Sequence, residues 1–326
     1  MNAVDHNNVV IFDDRGIPSI MCRFVRPKDT EEVPAVFKIG DKVADAIYIS
    51  KYPNIVIDGR AYSMPMADPT VNITFDEAVR ACRCKGLGWH LMTAVEYEYL
   101  LNQSREKGTM PHGNTDWGKD YYHNDEQGKV SNLGRTYTGT GPVTWNHDHT
   151  PYGVSDLNGN VWEWLAGLRI KDGVIEFIPD NKAASPYCDL SKDSAEWQQA
   201  ETSKGPVRAN VECGEITITD AVAADDYEPD YDGARIEELE VELSEIPQVL
   251  KDLGIIPDKR AEEEGKTYVY FDATEGEYMP FRGSAFGSTS NSGPSALGLN
   301  NARSVSNDNF GFRSAFYEVN GKLITE

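Results

Sequence analysis

The pattern of apolar and polar positions predicts a mixed α/β domain whose regular structure begins near Ala46. Residues 46–57, AIYISKYPNIVI, alternate between apolar and polar positions as a half-buried strand does. Two helices are predicted next. Thr74 followed by Glu77 forms a capping-box pattern for a helix ending near Lys85, and Thr93 precedes the stretch AVEYEYLLNQ. Strand patterning returns at 267–272, TYVYFD.

The segments on either side of these elements are less regular. Residues 1–40 are polar and contain Pro18, Pro27 and Pro34, which favours an N-terminal arm or an edge strand before a main domain at 41–326. Residues 108–150 are rich in Gly, Asn, Asp, Tyr and His. That composition predicts an ordered loop region with little regular structure.

A segment at about 182–266 is dense in Asp and Glu and is interpreted as an acidic insertion. Within it, apolar residues recur at steps of three and four, which predicts a partly helical excursion that packs one apolar stripe on the main domain. These residues are Ile236, Leu239, Leu243, Ile246, Leu250 and Leu253. A coiled coil is disfavoured because Pro247 interrupts only two heptads.

Composition narrows the classes of function. The formal net charge of −22 argues against DNA or RNA as a partner, since such binders need clustered Lys and Arg. The sequence contains no apolar run long enough to span a bilayer, and its N-terminal residues do not have the pattern of a signal peptide. The five scattered cysteines favour free thiols over a single disulfide.

The most specific string is Tyr152–Trp164, YGVSDLNGNVWEW. Asp156 and the Asn158-Gly159-Asn160 run supply turn-forming residues, and Trp162 and Trp164 then begin a strand with two large rings to bury. Glu163 alternates with the tryptophans and is a candidate ion-pair partner for Arg313.

This string resembles the hallmark of the formylglycine-generating enzyme (sulfatase-modifying factor) superfamily. Two further parts agree in order, namely Thr74 to Glu98 and the closing Gly311-Phe312-Arg313, so the matches cover roughly residues 46–170 and 267–318. The resemblance implies an α+β, C-type-lectin-like fold of the formylglycine-generating subtype, here carrying the acidic insertion.

The resemblance also raises the question of catalysis. The cysteine-oxidising members of that superfamily carry two copper-binding cysteines near the C-terminal strand, whereas no cysteine occurs between Phe281 and Glu326. The related iron enzymes need three histidines, and the local cluster here is His147-Asp-His149, for which loop hydrogen bonding is favoured over metal binding. We therefore predict no catalytic residue, metal or cofactor. A metal-dependent oxidase-like enzyme remains the alternative.

Residues 281–316 carry a narrower resemblance. The frame Arg-Gly, then Ala-Leu-x-Leu-x-Asn-Ala-Arg-Ser-x-Ser, then Gly-Phe-Arg-Ser-Ala resembles the variable region of proteins diversified by diversity-generating retroelements. The resemblance implies a ligand-binding surface at the other positions, namely Ser284, Phe286, Gly287, Ser288, Gly298, Asn300, Val305, Asn307, Asp308 and Phe310. Phe286 and Phe310 are expected to be exposed hot spots. The predicted scaffold residues are Trp162, Trp164, Arg282, Asn301, Arg303 and Arg313.

The residue types in this segment agree with such diversification. In that family adenines are randomised, and an Asn codon changed at its first two bases cannot encode Lys, Glu, Gln, Met or Trp. None of these five occurs from Ser284 to Phe310. Loops rich in Gly and Ser are also poor in long side chains, which weakens the test.

The resulting hypothesis is a receptor-recognition protein displayed on a virion or cell surface. Its expected partner is a macromolecule, either a protein or a glycan on a cell surface. A purely structural module is the third hypothesis.

Overall fold

The computed structural model describes residues 7–224 and 226–323. Its α-helices are α1 (Phe75–Arg83), α2 (Ala94–Lys107) and α3 (Gln248–Asp252). Short 3-10 helical segments cover Ala35–Phe37, Val143–Trp145, Pro179–Ala184, Ile236–Glu238, Glu262–Lys266 and Thr289–Asn291.

The strands are short and numerous. The N-terminal ones are β1 (Asn7–Phe12), β2 (Pro18–Val25), β3 (Lys38–Ile39), β4 (Lys42–Val43), β5 (Ala46–Ser50), β6 (Ile55–Ile57), β7 (Arg60–Tyr62) and β8 (His90–Leu91). The central ones are β9 (Trp162–Trp164), β10 (Leu168–Lys171), β11 (Val174–Phe177), β12 (Gln198–Gln199), β13 (Glu201–Thr202), β14 (Gly205–Pro206), β15 (Arg208–Glu212) and β16 (Glu215–Thr219). The remaining ones are β17 (Tyr231–Arg235), β18 (Glu240–Glu242), β19 (Tyr268–Asp272), β20 (Glu277–Arg282), β21 (Leu297–Asn301), β22 (Phe310–Phe312), β23 (Ser314–Val319) and β24 (Lys322–Leu323).

Two larger sheets organise these strands. The first runs β1-β2-β5-β23-β24, with β8 paired to β23. The second follows the path β17-β19-β21-β20-β10-β11-β15-β16-β18, with β12 on β11 and with β9 joining β20 to β22. Separate two-stranded pairs are β3–β4, β6–β7 and β13–β14. The segment 281–316 starts in β20 of the second sheet and ends in β23 of the first, so it connects the two sheets.

Residues 7–25 of the N-terminal segment form part of the first sheet. Strand β1 pairs antiparallel with β2 from Asn7↔Arg23 to Phe12↔Pro18, and β2 pairs in turn with β5. The burial of β2 alternates along most of its length, because its inner side chains pack on the core while its outer ones face solvent. Strand β1 is the edge of the sheet.

The two predicted capping boxes are both present. Thr74 and Glu77 cap α1, and Thr93 and Glu96 cap α2 through the same reciprocal hydrogen bonds. Helix α1 ends at Arg83, slightly before the predicted end. Helix α2 ends at Lys107 and is capped by Gly108, whose φ is +65°. No helix within the described residues is long and apolar enough to cross a membrane.

The acidic insertion contains both strands and short helices. The apolar periodicity predicted a partly helical segment. In the described residues the insertion contains the short strands β12–β18 together with the helix α3 and short 3-10 segments, joined by irregular chain. Ile236 and Leu250 still reach the main core and Leu239 packs against it, whereas Ile246 is 45% exposed. The periodic stretch is interrupted at Glu240–Glu242, where β18 pairs with β16, and helix resumes after Pro247 at Gln248–Asp252.

Two other predictions agree with the structure. Residues 108–150 form loops joined by isolated bridges, with Val143–Trp145 as their regular element. All five cysteines are free, and Cys82 is buried while Cys84 is exposed, as expected for positions two apart on a helix.

Candidate ligand-binding surface

The turn before β9 positions the centre of the candidate site. Asp156, Gly159 and Asn160 have positive φ values of 60°, 74° and 64°. A Cβ on Gly159 would lie 2.1 Å from the carbonyl oxygen of Asn114, so only glycine fits there. The turn sets β9 between β20 and β22, which together carry the two ends of the candidate segment.

Arg313 is the most buried of the scaffold arginines. Its Nε and Nη2 donate to the two carboxylate oxygens of Glu163 at 2.6 and 2.5 Å, and it also donates to the carbonyls of Ser50 and Ser155, each at 3.0 Å. Burial by itself lowers the pKa of Arg313, but the Glu163 carboxylate more than offsets it, and the pKa is raised. The predicted Glu163–Arg313 pair is thus present, and it ties three separate chain segments together.

Arg282 stands at the start of the candidate segment, with a comparable set of partners. It donates to the Glu98 carboxylate at 3.0 Å and to the carbonyl of Gly254 at 2.6 Å, and it lies over the ring of Tyr97. Glu98 also accepts a hydrogen bond from Arg105. These contacts fix the end of β20 to helix α2 and to the end of the acidic insertion.

Arg303 holds the middle of the segment. It donates to both carboxylate oxygens of Glu277, at 2.6 and 2.9 Å, and to Asp76 at 2.8 Å. Burial lowers the pKa of Arg303, but Glu277 more than offsets this and the pKa is raised. Asn301, the other predicted scaffold residue here, is half-buried at the end of β21.

The predicted scaffold tryptophans belong to an aromatic cluster below the candidate surface. Trp164 is fully buried and donates its indole N–H to the carbonyl of Ile73 at 3.0 Å. Trp162 meets Phe281 edge-on at 5.1 Å between ring centroids. The cluster also contains Phe310 and gives the loops above it a rigid base.

Six of the ten predicted variable residues are exposed or half-buried on loops or at a strand end. They are Gly287, Ser288, Asn300, Val305, Asn307 and Asp308. The loop that carries Asn307 and Asp308 is held through its main chain, because the Asn72 amide donates to the Asn307 carbonyl at 2.8 Å and Arg135 donates to the Asp308 carbonyl at 2.9 Å. Main-chain contacts of this kind persist whichever side chains are present.

The two expected hot spots are buried, contrary to prediction. Phe286 is 6% exposed and Phe310 is 5% exposed. Phe310 pairs with Trp162 in the β9–β22 ladder, and its ring lies 4.9 Å from that of Trp164. Phe286 is covered by Trp117, whose ring lies 5.0 Å away and whose amide donates to the Phe286 carbonyl at 2.7 Å.

Ser284 and Gly298 are also buried. Ser284 has a φ of +64°, and its hydroxyl donates to Asn158 at 3.1 Å, so it helps to fix the turn before β9. A Cβ on Gly298 would lie 2.0 Å from the ring of Phe281. Neither residue presents a side chain to solvent, and the expectation of exposure was wrong for both.

The prediction did not include exposed aromatic residues supplied by the neighbouring loop. Trp117, Tyr121 and Tyr122 are 60%, 42% and 51% exposed. The loop is attached to the candidate segment, because the Thr289 amide donates to the Thr115 carbonyl at 2.9 Å. The signal was present in the string DWGKDYYH (116–123), in which three large aromatics stand among loop-forming residues.

The residues considered for metal chemistry do not assemble. His147 Nδ1 accepts from the Val154 amide at 2.9 Å, and His149 Nε2 lies 3.1 Å from the Met110 carbonyl. No group of three or more His, Cys, Asp or Glu side chains in residues 7–224 and 226–323 is placed to hold a metal ion. Burial raises the pKa of the Cys22 thiol to about 12 and that of Cys188 to about 11, so neither favours a thiolate.

Comparison with known proteins shows the family of this chain. The Sulfatase-modifying factor enzyme 1-like domain matches residues 56–316, which include both the frame and the candidate surface. The chain belongs to this family. Its sequence is also 36% identical over 105 residues to the formylglycine-generating enzyme of Mus musculus, a match that spans 30% of this chain and 27% of that enzyme.

Several solved structures are similar to this sulfatase-modifying-factor-like chain. PvdO from Pseudomonas aeruginosa has 14% identity and a TM-score of 0.39 over 95% of this chain and 98% of its own. Treponema denticola variable protein 1 has 11% identity and a TM-score of 0.37 over 95% and 99%. The Major Tropism Determinant U1 variant has 14% identity and a TM-score of 0.34 over 97% and 56%. Family membership confirms the predicted α+β, C-type-lectin-like fold.

Proposed function

We propose that this chain is a ligand-binding protein, and not an enzyme, whose recognition surface is rewritten by a diversity-generating retroelement. One observation carries the proposal. Three arginines hold the candidate segment by side-chain contacts to buried or half-buried carboxylates, while the loop with Asn307 and Asp308 is held by main-chain contacts. Substitution at the exposed positions therefore leaves the supports of the loop intact.

The family's cysteine-dependent oxidation fits the residues poorly. The segment from Phe281 to Glu326 contains no cysteine, so the copper ligands of that chemistry are missing where the family carries them.

The names of similar structures agree with a recognition role. The Major Tropism Determinant is named for tropism, and Treponema denticola variable protein 1 is named for variability. For this chain we propose a macromolecular partner on a cell surface, with display on a virion or on the surface of a cell.

The genomic DNA provides the first test. We expect a near-copy of the sequence encoding residues 281–316 beside a reverse transcriptase gene, with differences concentrated at adenines of the copy. Differences spread evenly over all four bases, or a complete genome without such a copy, would overturn the proposal of diversification.

The oxidase-like alternative has its own test. Elemental analysis of the purified full chain, followed by assay of thiol oxidation on a cysteine-containing peptide, is expected to give no turnover above buffer. Stoichiometric copper or iron together with turnover would replace the binding proposal by the enzymatic one.

A further inference from the structure

A pocket of about 310 Å³ opens beside the candidate surface. We call it the His-stack pocket, and its walls include His112, Tyr122, His123, Asn158, Lys266 and Pro294. It shares a wall with the variable segment, because Ser292 and Gly293 also line it and the Tyr122 hydroxyl donates to the Ser290 carbonyl at 2.9 Å. A ligand bound to the neighbouring loops can therefore extend a terminal group into this pocket.

Two histidines form the most ordered part of the pocket. The rings of His112 and His123 are stacked, with centroids 3.6 Å apart and planes at 6°. His112 Nδ1 lies 3.0 Å from the Glu126 carboxylate, and His123 Nδ1 lies 3.2 Å from that of Asp120. Because a carboxylate accepts hydrogen bonds, each Nδ1 is the donor in its pair.

The carboxylates behind this stack are themselves engaged. Asp120 is buried and accepts hydrogen bonds from the amides of Gly113, Tyr122 and His123. Glu264, which also lines the pocket, is occupied by Arg105. These groups position the walls and are not available as a charged site for a ligand.

The remaining pocket residues offer a ligand charged, polar and apolar contacts. Lys266 and Glu263 are both exposed and oppose each other in charge, and Asn158 adds an amide. Pro294, Met110 and the flat rings provide apolar surface. A ring that is apolar on its faces and carries hydroxyls at its edge matches this arrangement, because each hydroxyl both donates and accepts. The volume lies near the small end of the range for ligand pockets, which suits one such ring.

We propose that the His-stack pocket binds one neutral monosaccharide unit, the terminal sugar of a surface glycan. The identity of the partner as a surface molecule rests on the proposed function, whereas the sugar site rests on the pocket. The pocket lies mostly outside the variable segment and supplies a constant contact beside the replaceable one.

Saturation-transfer NMR of the full chain with a panel of free neutral monosaccharides tests this proposal. At least one sugar is expected to bind at millimolar concentration. His123→Ala removes the outer ring of the stack, and Lys266→Ala removes a side chain with no ion pair among the described residues; each is expected to weaken binding about tenfold or more. Tyr187→Ala and Lys259→Ala change exposed residues outside the pocket and are the controls, with binding unchanged.

Three results would overturn the proposal. They are no binding of any neutral sugar by the folded wild-type chain, binding of acidic sugars alone, or binding that both pocket variants leave intact. Sugar binding in a chain whose genome has no near-copy of the variable segment would keep this site and reject the retroelement proposal.

Discussion

The frame arginines and the exposed loop residues lie within the same segment but are held in different ways. Arg282 and Arg313 are 1% and 0% exposed, and their guanidinium groups contact carboxylates and carbonyls from distant parts of the chain. Asn307 and Asp308 stand on a loop whose carbonyls, not its side chains, make the long-range contacts. Side-chain identity therefore matters to stability in the frame and matters little on the loops.

Breaking the frame is expected to have the largest effect. Arg313→Leu leaves the Glu163 carboxylate buried without its partner, so the free energy of unfolding should fall by about 3–5 kcal/mol in urea titrations. Arg80→Leu on exposed Arg80 of α1 is the matched control, with a change within about 0.5 kcal/mol. A similar small change for both variants would show that the pair is not a support.

The same substitution, Gly to Ser, is expected to have different effects at a buried and at an exposed position of the segment. Gly298→Ser places a Cβ against the ring of Phe281 and should cost about 1–3 kcal/mol. Gly287→Ser meets Trp117 only at an ordinary contact distance of 3.4 Å and should stay within about 0.5 kcal/mol. Equal unfolding midpoints in urea would mean that Gly298 is as replaceable as Gly287.

Asp156, in the turn before β9, should make stability depend on pH. Burial raises the pKa of Asp156 from 3.8 to about 6, despite the Gly139 amide and Arg313. The folded state then binds this proton more tightly than the unfolded state, so Asp156 lowers stability as pH rises between those two values. Asp156→Asn, which suits a positive φ, should be more stable than wild type near pH 7 by on the order of 1–3 kcal/mol.

Thermal unfolding of both proteins across pH measures this difference. The advantage of Asp156→Asn should shrink to about zero below roughly pH 4, where the wild-type carboxyl is protonated in both states. An advantage that does not change with pH would assign it to packing and not to the charge.

Single changes at the exposed or half-buried variable positions are expected to have the smallest effect. Asp308→Tyr and Asn300→Ser should each shift the free energy of unfolding by no more than about 0.5 kcal/mol in urea titrations. The Oδ1 atom of Asn300 is buried without a hydrogen-bond partner, so its loss removes no described contact. A loss above about 2 kcal/mol for either would place that residue in the frame.

Predictions that depend on residues close together in the sequence were confirmed. The Thr74 and Thr93 capping boxes depend on residues three positions apart, and both formed as predicted. The Glu163–Arg313 pair was also predicted, because a charge between two buried tryptophans requires a partner.

The predictions that failed depended on contacts between distant segments. Phe310 is covered because β22 pairs with β9, and Gly298 is closed off because the register of β20 and β21 brings the Phe281 ring over it. The apolar stripe of the acidic insertion is not one continuous helix, because β18 lies between Leu239 and Leu243 and pairs with β16. None of these partners is near in sequence, so periodicity could not identify them.

Two display libraries test the separation of frame and surface most directly. One library randomises the six exposed or half-buried positions together, and the other randomises the buried positions Ser284, Phe286, Gly298 and Phe310. Both are sorted for resistance to protease and then for binding to cells. Most members of the first library should remain folded, and some should bind cells that the parent does not, while few members of the second should fold. Equal loss of folded members from both libraries would contradict the separation of surface from frame.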